Sequence, residues 1–111
     1  MLPLGSRDMR FVAVTACPTG IAQAYLAAAQ LEKAARKLGH VIKVETQGAV
    51  GIENQLSQAE VDNADGVIIA SDIPVEHGGR FLKSPRVTQV PVQLALKSPE
   101  TIFVRLQCQA A

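Results

Sequence analysis

Aromatic residues are scarce in this chain of 111 residues, which contains three Phe, one Tyr and no Trp. Aliphatic side chains must therefore form most of the core, and a hydrophobic content of 48% is typical of a folded protein rather than a disordered one. The formal net charge is only +1, and no segment combines clustered Lys and Arg with aromatic residues. Nucleic acid is therefore not expected as a partner.

Long apolar runs and cysteine frameworks are absent as well. No stretch approaches the roughly 18 apolar residues that a membrane span needs, and residues 1–10 lack the apolar segment of a signal peptide. We therefore expect a cytoplasmic protein. Two cysteines, Cys17 and Cys108, are too few for a disulfide framework, and with two histidines they show no spacing of a structural metal site. No metal and no cofactor is expected.

The length of the chain leaves room for one domain. Residues 1–9 are expected to form a flexible N-terminal segment, and residues 10–107 a single domain. One site should therefore carry the function.

Four β-strands are predicted from the hydrophobic pattern. Residues 11–14 and 66–70 are continuous apolar runs, which is typical of central strands buried on both faces. Residues 41–46 and 86–90 predict two further strands, and the alternating charged residues of the first favour an edge position with one solvated face. Glu45 is accordingly interpreted as a solvated strand residue.

Helices are predicted between and after these strands. A first helix should begin at Gly20 and end before Gly39, and a second should begin at Gln58, because Ser57 and Glu60 have the spacing of a capping box. Two short helices are predicted after Pro91 and Ser98. Two loops complete the prediction, at residues 47–54 and, with one helical turn, at residues 75–85.

The alternation of strands and helices predicts an α/β fold with right-handed crossovers. Placing the two continuous apolar strands inside gives an open parallel four-stranded sheet of order 2-1-3-4, with helices on both faces, as in Rossmann-like and flavodoxin-like folds. Ligands of such sheets bind outside the carboxyl ends of the central strands, near the point where the strand order reverses. The loop after the first strand, which contains Cys17, should lie there.

The turn around Cys17 has the features of an anion site. Pro18 lacks an N–H, but the backbone N–H groups of residues 19–22 and the dipole of the following helix would stabilise a negative charge. The same field favours a thiolate, because cysteines at helix N-termini can have pKa values of about 3.5–7.5 instead of about 8.5. These amides could also hold the oxygens of a phosphoryl group transferred to the sulfur, and the hydroxyls of Thr15 and Thr19 could donate further hydrogen bonds.

Two interpretations of Cys17 remain open on spacing alone. It is either a nucleophile at a helix N-terminus or a small core residue that ends a buried strand, which is the commoner role of a lone cysteine. Cys108 lies between two glutamines near the end of the chain and has no turn that would activate it.

Three segments resemble one known family. VAVTACPTGIA at 12–22 resembles the phosphorylation loop of the fructose-family B components (EIIB) of the bacterial phosphoenolpyruvate-dependent sugar phosphotransferase system (PTS). KVETQGAVGIEN at 43–54 is similar to the second strand and following loop of that family, and Asp72 with Arg80-Phe81 is similar to the segment after its third strand.

The resemblance implies a phosphotransferase that works through a phosphocysteine. Cys17 would accept a phosphoryl group from a phosphohistidine on an EIIA component and pass it to fructose, or a fructose-like sugar, bound by a membrane EIIC component. The location implied is the cytoplasm, with peripheral association at the inner membrane through EIIC. The phosphate-binding residues implied are Pro18, Thr19, Gly20, Ile21, Ala22 and Gln23.

Two alternatives belong to other functional classes. Low-molecular-weight cysteine phosphatases and arsenate reductases place an arginine six positions after the cysteine, where this chain has Gln23, so hydrolysis is disfavoured. A regulatory interaction module that keeps the fold without relaying phosphate is suggested by Gln23-Ala24, because the family usually has His-Thr at these positions. The presence of Cys17 argues against it.

Overall fold

Five strands form one sheet in the computed structural model, which describes residues 9–16, 21–48, 51–81 and 87–110, with the backbone alone at 21, 22 and 107–110. The strands are β1 (Arg10–Ala16), β2 (Val41–Gly48), β3 (Gly51–Glu53), β4 (Gly66–Ser71) and β5 (Val87–Val90). Their order is β3-β2-β1-β4-β5, and all neighbours are parallel except β2 and β3. The four parallel strands have the predicted order 2-1-3-4, which is confirmed.

The sheet has one strand more than predicted. Residues 51–53, predicted as part of a loop, pair antiparallel with residues 46–48 of β2. Gly51 has a φ of 111°, which suits glycine, and the segment is too short to show an alternating pattern. The predicted edge position of β2 is therefore wrong for its carboxyl half, which β3 covers, and correct for the half that begins at Val41.

The helices follow the predicted pattern. They are α1 (Ile21–Leu38), α2 (Gln58–Asp62), α3 (Val92–Lys97) and α4 (Pro99–Ala110), and a 3₁₀ turn lies at Gly78–Phe81. The capping box of α2 is confirmed, because the Ser57 hydroxyl accepts the Glu60 N–H at 3.1 Å and the Glu60 carboxylate accepts the Ser57 N–H at 2.8 Å. None of the helices among these residues is long and apolar enough to span a membrane.

Alternate residues of β1 enter two separate hydrophobic clusters, one on each face of the sheet. Phe11 and Ala13 pack with α1, α3 and α4, whereas Val12 and Val14 pack with Leu56, Val61 and Phe81 on the face of α2 and the 3₁₀ turn. Helices therefore cover both faces, as predicted for two buried central strands.

Gly66 is required at the start of β4 because of the aromatic packing beside it. A Cβ at this position would lie 2.9 Å from two carbons of the Phe11 ring. The ring cannot shift easily, since it packs edge-on against Phe103 and His40 with centroid distances of 5.1 and 5.0 Å. Only glycine leaves room for the ring in this position.

We expect Gly66→Ala to lower the free energy of unfolding by about 1–3 kcal/mol, as overpacking in a core usually does. Gly79→Ala is the matched control, because nothing lies within 4 Å of the position its Cβ would take, and its effect should stay within about 0.5 kcal/mol. Urea denaturation of both variants measures the difference. Equal stability of the two would contradict this account of Gly66.

Candidate functional site

The predicted anion-binding turn lies partly outside the described residues. Cys17, Pro18, Thr19 and Gly20 are not described, and at Ile21 and Ala22 the backbone alone is. The structure does describe both ends of the turn. β1 ends at residue 16, and α1, which is 18 residues long, begins at residue 21.

A buried hydrogen bond joins the end of β1 to the first turns of α1. The hydroxyl of Thr15, which is fully buried, donates to the backbone carbonyl of Ala24 at 3.0 Å. This bond holds the end of the strand close to the start of the helix. The proton of the Thr15 hydroxyl is used inside the fold, so the predicted hydrogen bond from Thr15 to a bound anion is wrong.

Residues 23 and 24 are Gln and Ala, where the family that the sequence resembles usually has His and Thr, and the two positions have different surroundings. Gln23 is exposed in the first turn of α1, whereas the Ala24 side chain is fully buried. A hydroxyl at position 24 would therefore lie in the core rather than beside a bound anion. Of the two positions, only 23 presents its side chain at the surface.

The reversal of the strand order lies next to this turn. Ala16, the last residue of β1, pairs with Gln47 of β2 on one side and Ser71 of β4 on the other. In open α/β sheets this crevice at the carboxyl ends is where ligands bind. Cys17 is the next residue along the chain after Ala16.

A buried ion pair lies at the same edge of the sheet. Glu45 of β2 is fully buried, and its two oxygens accept hydrogen bonds from Nη1 and Nη2 of Arg80 at 2.7 and 3.1 Å. The Leu56 N–H and Nε2 of Gln47 donate to the same carboxylate at 2.8 and 2.7 Å. Glu45 therefore has four hydrogen bonds, and the prediction that it is solvated is wrong.

The Arg80 guanidinium has no donor left for a ligand. Besides its two bonds to Glu45, it donates to the carbonyl oxygens of His77 at 2.8 Å, Leu56 at 2.8 Å and Glu76 at 3.2 Å. These five hydrogen bonds equal the five N–H donors of a guanidinium. Arg80 therefore holds the fold at this edge and does not bind an anion there.

The protonation state of Glu45 follows from these contacts. Burial alone would raise the pKa of the carboxyl, but hydrogen bonds from Arg80, Leu56 and Gln47 and the charge of Arg80 outweigh it, so the pKa is lowered from its usual value. Glu45 is therefore an ionised carboxylate at neutral pH, and it neutralises the charge of Arg80.

Gln47 fixes the segment before the 3₁₀ turn. Its Nε2 donates to the Glu76 carbonyl at 3.0 Å, and its Oε1 accepts the Glu76 N–H at 2.8 Å. The next residue, His77, has a left-handed φ of 59°, and Arg80 holds its carbonyl. Since Gln47 also lies beside Ala16 in the sheet, the segment is tied directly to the strand next to the end of β1.

Tyr25 connects α1 to the β2–β3 hairpin. Its hydroxyl is hydrogen-bonded to the side chains of Glu53 on β3 and Thr46 on β2. Burial, the charge of Glu53 and the hydrogen bond to Glu53 raise the pKa of Tyr25. The hairpin is thereby held beside the second turn of the helix that starts at the site.

Some of these residues have no local sequence signal. Glu45 and Arg80 are 35 positions apart, and the periodicity of β2 suggests a solvated glutamate. Asp72, noted in the sequence, contributes a long contact in which its carboxylate accepts the Val92 N–H at 3.4 Å. Within the described part of the chain, no group of three His, Cys, Asp or Glu residues could hold a metal ion.

Comparison with known proteins identifies relatives of the chain. A family model described as "PTS system, Lactose/Cellobiose specific IIB subunit" matches residues 12–105. The "PTS system fructose-like EIIB component 2" of Escherichia coli K12 is 39% identical over 102 residues, which cover 92% of this chain and 95% of that protein. The fructose-specific EIIABC component of Mycoplasma pneumoniae is 45% identical over 93 residues. The match covers 84% of this chain and only 13% of that larger protein.

A solved structure shows the same fold. A domain of the fructose-specific IIABC component of Borrelia burgdorferi superposes with a TM-score of 0.85 at 42% sequence identity. The superposition covers 91% of this chain and 95% of that domain. The α/β fold with its mostly parallel sheet is therefore shared with a PTS IIB domain.

We expect Glu45→Gln to lower the free energy of unfolding by about 3–5 kcal/mol at pH 7, because it leaves the largely buried Arg80 without a carboxylate. The loss should depend on pH. The lowered pKa of Glu45 stabilises the wild type fully above 4.5, the value of an unperturbed glutamate, and this contribution disappears as the pH falls through the folded-state pKa.

The measurement is chemical denaturation of the wild type and the variant at a series of pH values from 7 downward, and the difference between the two stabilities should shrink as the pH falls below 4.5. Glu100→Gln is the matched control, since Glu100 pairs with Lys37 at 2.9 Å on the surface, and its effect should be below about 1 kcal/mol. A Glu45→Gln difference that stays constant with pH would contradict the assignment.

Proposed function

Because this chain belongs to the family of EIIB components of the bacterial sugar phosphotransferase system, we propose that Cys17 carries a phosphoryl group between two partner proteins. In the first step Cys17 accepts the group from a phosphohistidine on an EIIA component. In the second it passes the group to a sugar bound by a membrane EIIC component during uptake.

The position of Cys17 in the chain supports the proposal most strongly. It follows Ala16 directly, at the reversal of the strand order, and the helix that begins four residues later is 18 residues long. The bond from Thr15 to Ala24 sets the distance between strand and helix. A thiolate at such a position meets several N–H donors and the positive end of a helix dipole.

The chemistry consists of two displacements at phosphorus. The Cys17 thiolate attacks the phosphorus of the phosphohistidine, an S–P bond forms, and the P–N bond breaks with its electron pair returning to the ring nitrogen. A sugar hydroxyl then attacks the same phosphorus and loses its proton, while the S–P bond breaks and its electron pair returns to sulfur. The thiolate is regenerated, so the protein is unchanged after one cycle.

The backbone amides of residues 19–22 are proposed to hold the phosphoryl oxygens. Amides that bind a thiolate also stabilise the charge of a transferring PO₃ group, and they need no reorganisation between the two steps. Pro18 and Gly20 shape the turn, the Thr19 hydroxyl adds one hydrogen bond, and Gln23 lies at the rim.

The sugar and the location are proposed from the relatives. Their printed names are fructose-like and fructose-specific, so fructose or a fructose-like sugar is the proposed substrate, and the EIIC component selects it. Relatives named EIIABC carry the three components in one protein, which supports EIIA and EIIC as the partners. The proposed location is the cytoplasmic side of the inner membrane, where EIIC would receive the phosphoryl group.

We expect Cys17→Ser to abolish phosphorylation of the chain and of the sugar without unfolding the protein, because the change is nearly isosteric. Cys108→Ser is the matched control and should be phosphorylated like the wild type. The measurement is intact mass after incubation with phosphoenolpyruvate, the general phosphotransferase proteins and an EIIA component. A phosphate adduct on Cys17→Ser would show that another residue carries the group.

The same incubation separates the relay from the two other classes. A phosphatase would release inorganic phosphate continuously in the absence of sugar and EIIC, whereas a relay protein retains its phosphate. A regulatory module would acquire no adduct from any EIIA component. Either result would replace the proposed function.

We expect Thr19→Ala to weaken transfer only modestly, by the roughly 0.5–1.5 kcal/mol of one hydrogen bond, because the backbone amides hold most of the charge. Rapid-quench measurement of Cys17 phosphorylation should therefore show a decrease of about 2- to 13-fold. Complete loss of transfer would mean that the hydroxyl, rather than the main chain, holds the phosphoryl group.

A further inference from the structure

Three residues form one row across the sheet beside the first turns of α1. Thr15 of β1 pairs with Thr46 of β2, and Thr46 pairs in turn with Glu53 of β3. Thr15 alternates along β1 with Ala13, which packs in the cluster of α1, so the row belongs to the face of the sheet that this helix covers. Both threonines are buried, whereas Glu53 is exposed at the edge.

Two consecutive residues of α1 are hydrogen-bonded to this row. The Thr15 hydroxyl donates to the Ala24 carbonyl at 3.0 Å, and the Tyr25 hydroxyl is bonded to the side chains of Thr46 and Glu53. The bond to Glu53 raises the pKa of Tyr25 and the bond to Thr46 lowers it. The phenol therefore donates to the Glu53 carboxylate and accepts from the Thr46 hydroxyl. Through these bonds the start of α1 is attached to three strands.

Apolar packing fixes this end of α1 less firmly than its other end. The buried face of its first half consists of Ala24, Ala27 and Ala28, and the first large buried side chain among the described residues of the helix is Leu31. Alanine side chains form low ridges, which resist sliding and rotation of a helix less than large side chains do. The hydrogen bonds to the row therefore carry much of the positioning at this end.

The two attachments constrain different motions of the helix. The bond from Thr15 fixes the distance between the end of β1 and α1, but a single bond leaves the helix able to rotate about it. Tyr25 lies one residue further, which is a turn of about 100° around the helix axis, and its bonds to β2 and β3 oppose that rotation. Together they fix both the position and the direction of the helix that begins at Ile21.

We propose that Tyr25 is a positioning residue for the reaction of Cys17, because it holds the amino end of α1 where the helix amides and dipole stabilise the sulfur anion. This rests on the proposed function, in which the same amides hold the thiolate and the phosphoryl group. Stabilisation of charge by backbone donors depends on their being preorganised. Tyr25 acts through the helix and needs no contact with the sulfur.

The test uses the full chain with Cys108→Ser, so that Cys17 is the one thiol, and measures its rate of alkylation by iodoacetamide against pH. Tyr25→Phe keeps the ring and removes the hydroxyl. The apparent pKa of Cys17 should rise, so that alkylation in the rising part of the pH profile slows at least about threefold. At high pH, where the thiol is fully ionised in both proteins, the two rates should agree within about twofold.

Phosphoryl transfer gives a second readout of Tyr25→Phe. The maximal rate of Cys17 phosphorylation by phosphorylated EIIA should fall at least about threefold, with the KM for the donor within about twofold of the parent protein. The reason is that displaced amides stabilise the transferring group less, whereas the hydroxyl that is removed is bonded within the chain.

Two control variants separate positioning from charge and from stability. Glu53→Gln keeps an oxygen that accepts the Tyr25 hydroxyl and removes the charge, so its pH profile and maximal rate should match the parent within about twofold. Ser57→Ala removes the cap of α2 on the other face of the sheet. It weakens the fold about as much as the loss of one hydrogen bond does, and it should leave the profile of Cys17 unchanged.

The outcomes separate this proposal from the proposed function. A profile and a maximal rate of Tyr25→Phe equal to those of Ser57→Ala would overturn the positioning role and leave the relay intact. An equal shift in Glu53→Gln would assign the effect to the charge of Glu53 and would also overturn it. No phosphorylation of wild-type Cys17 by any EIIA component would overturn the relay, whereas the alkylation profiles would still decide whether Tyr25 positions the helix.

Discussion

The ion pair between Glu45 and Arg80 joins four parts of the chain at the carboxyl edge of the sheet. Through its hydrogen bonds it connects β2, the segment before α2, the backbone of residues 76 and 77, and the 3₁₀ turn. Burial of two charges costs free energy, and such a pair is often no more stabilising than apolar residues of the same size. In this arrangement both oxygens of Glu45 and all five N–H groups of Arg80 are hydrogen-bonded.

That arrangement also reaches the residues next to the end of β1. The parallel order β2-β1-β4 places the end of β1 between Gln47 and Ser71. Gln47 donates to Glu45 and binds both polar groups of the Glu76 backbone. The ion pair is therefore linked through Gln47 to the segment before the 3₁₀ turn, and a change at Glu45 would disturb this segment as well as the stability.

The fold was predictable from the sequence because its main features depend on local patterns. The continuous apolar runs of β1 and β4, the capping box at Ser57 and the glycine after α1 each determine structure within a few residues. Cys17 can also be recognised as a candidate from the sequence, because the helix predicted directly after it follows from the adjacent residues. Residues 17–20 lie outside the described residues, so the arrangement of the anion-binding amides stays a prediction.

The features that were missed depend on contacts between distant parts of the chain. Glu45 occupies a position that β periodicity assigns to solvent, and only Arg80, 35 residues later, makes its burial possible. Strand β3 has three residues and is recognisable only when β2 lies next to it. The position of Thr15 beside the turn likewise predicts a hydrogen bond from its hydroxyl to a bound anion. In the folded protein this hydroxyl donates instead to the Ala24 carbonyl of α1.

All the hydrogen-bond donors of Arg80 are used within the fold. In many phosphate sites one arginine has two roles, which are organisation of the loop and neutralisation of the bound group. An arginine at such a site can both organise the loop and neutralise the transferring group. Here the five N–H groups of Arg80 are all used for organisation of the carboxyl edge, so Arg80 has no donor with which to neutralise a bound anion.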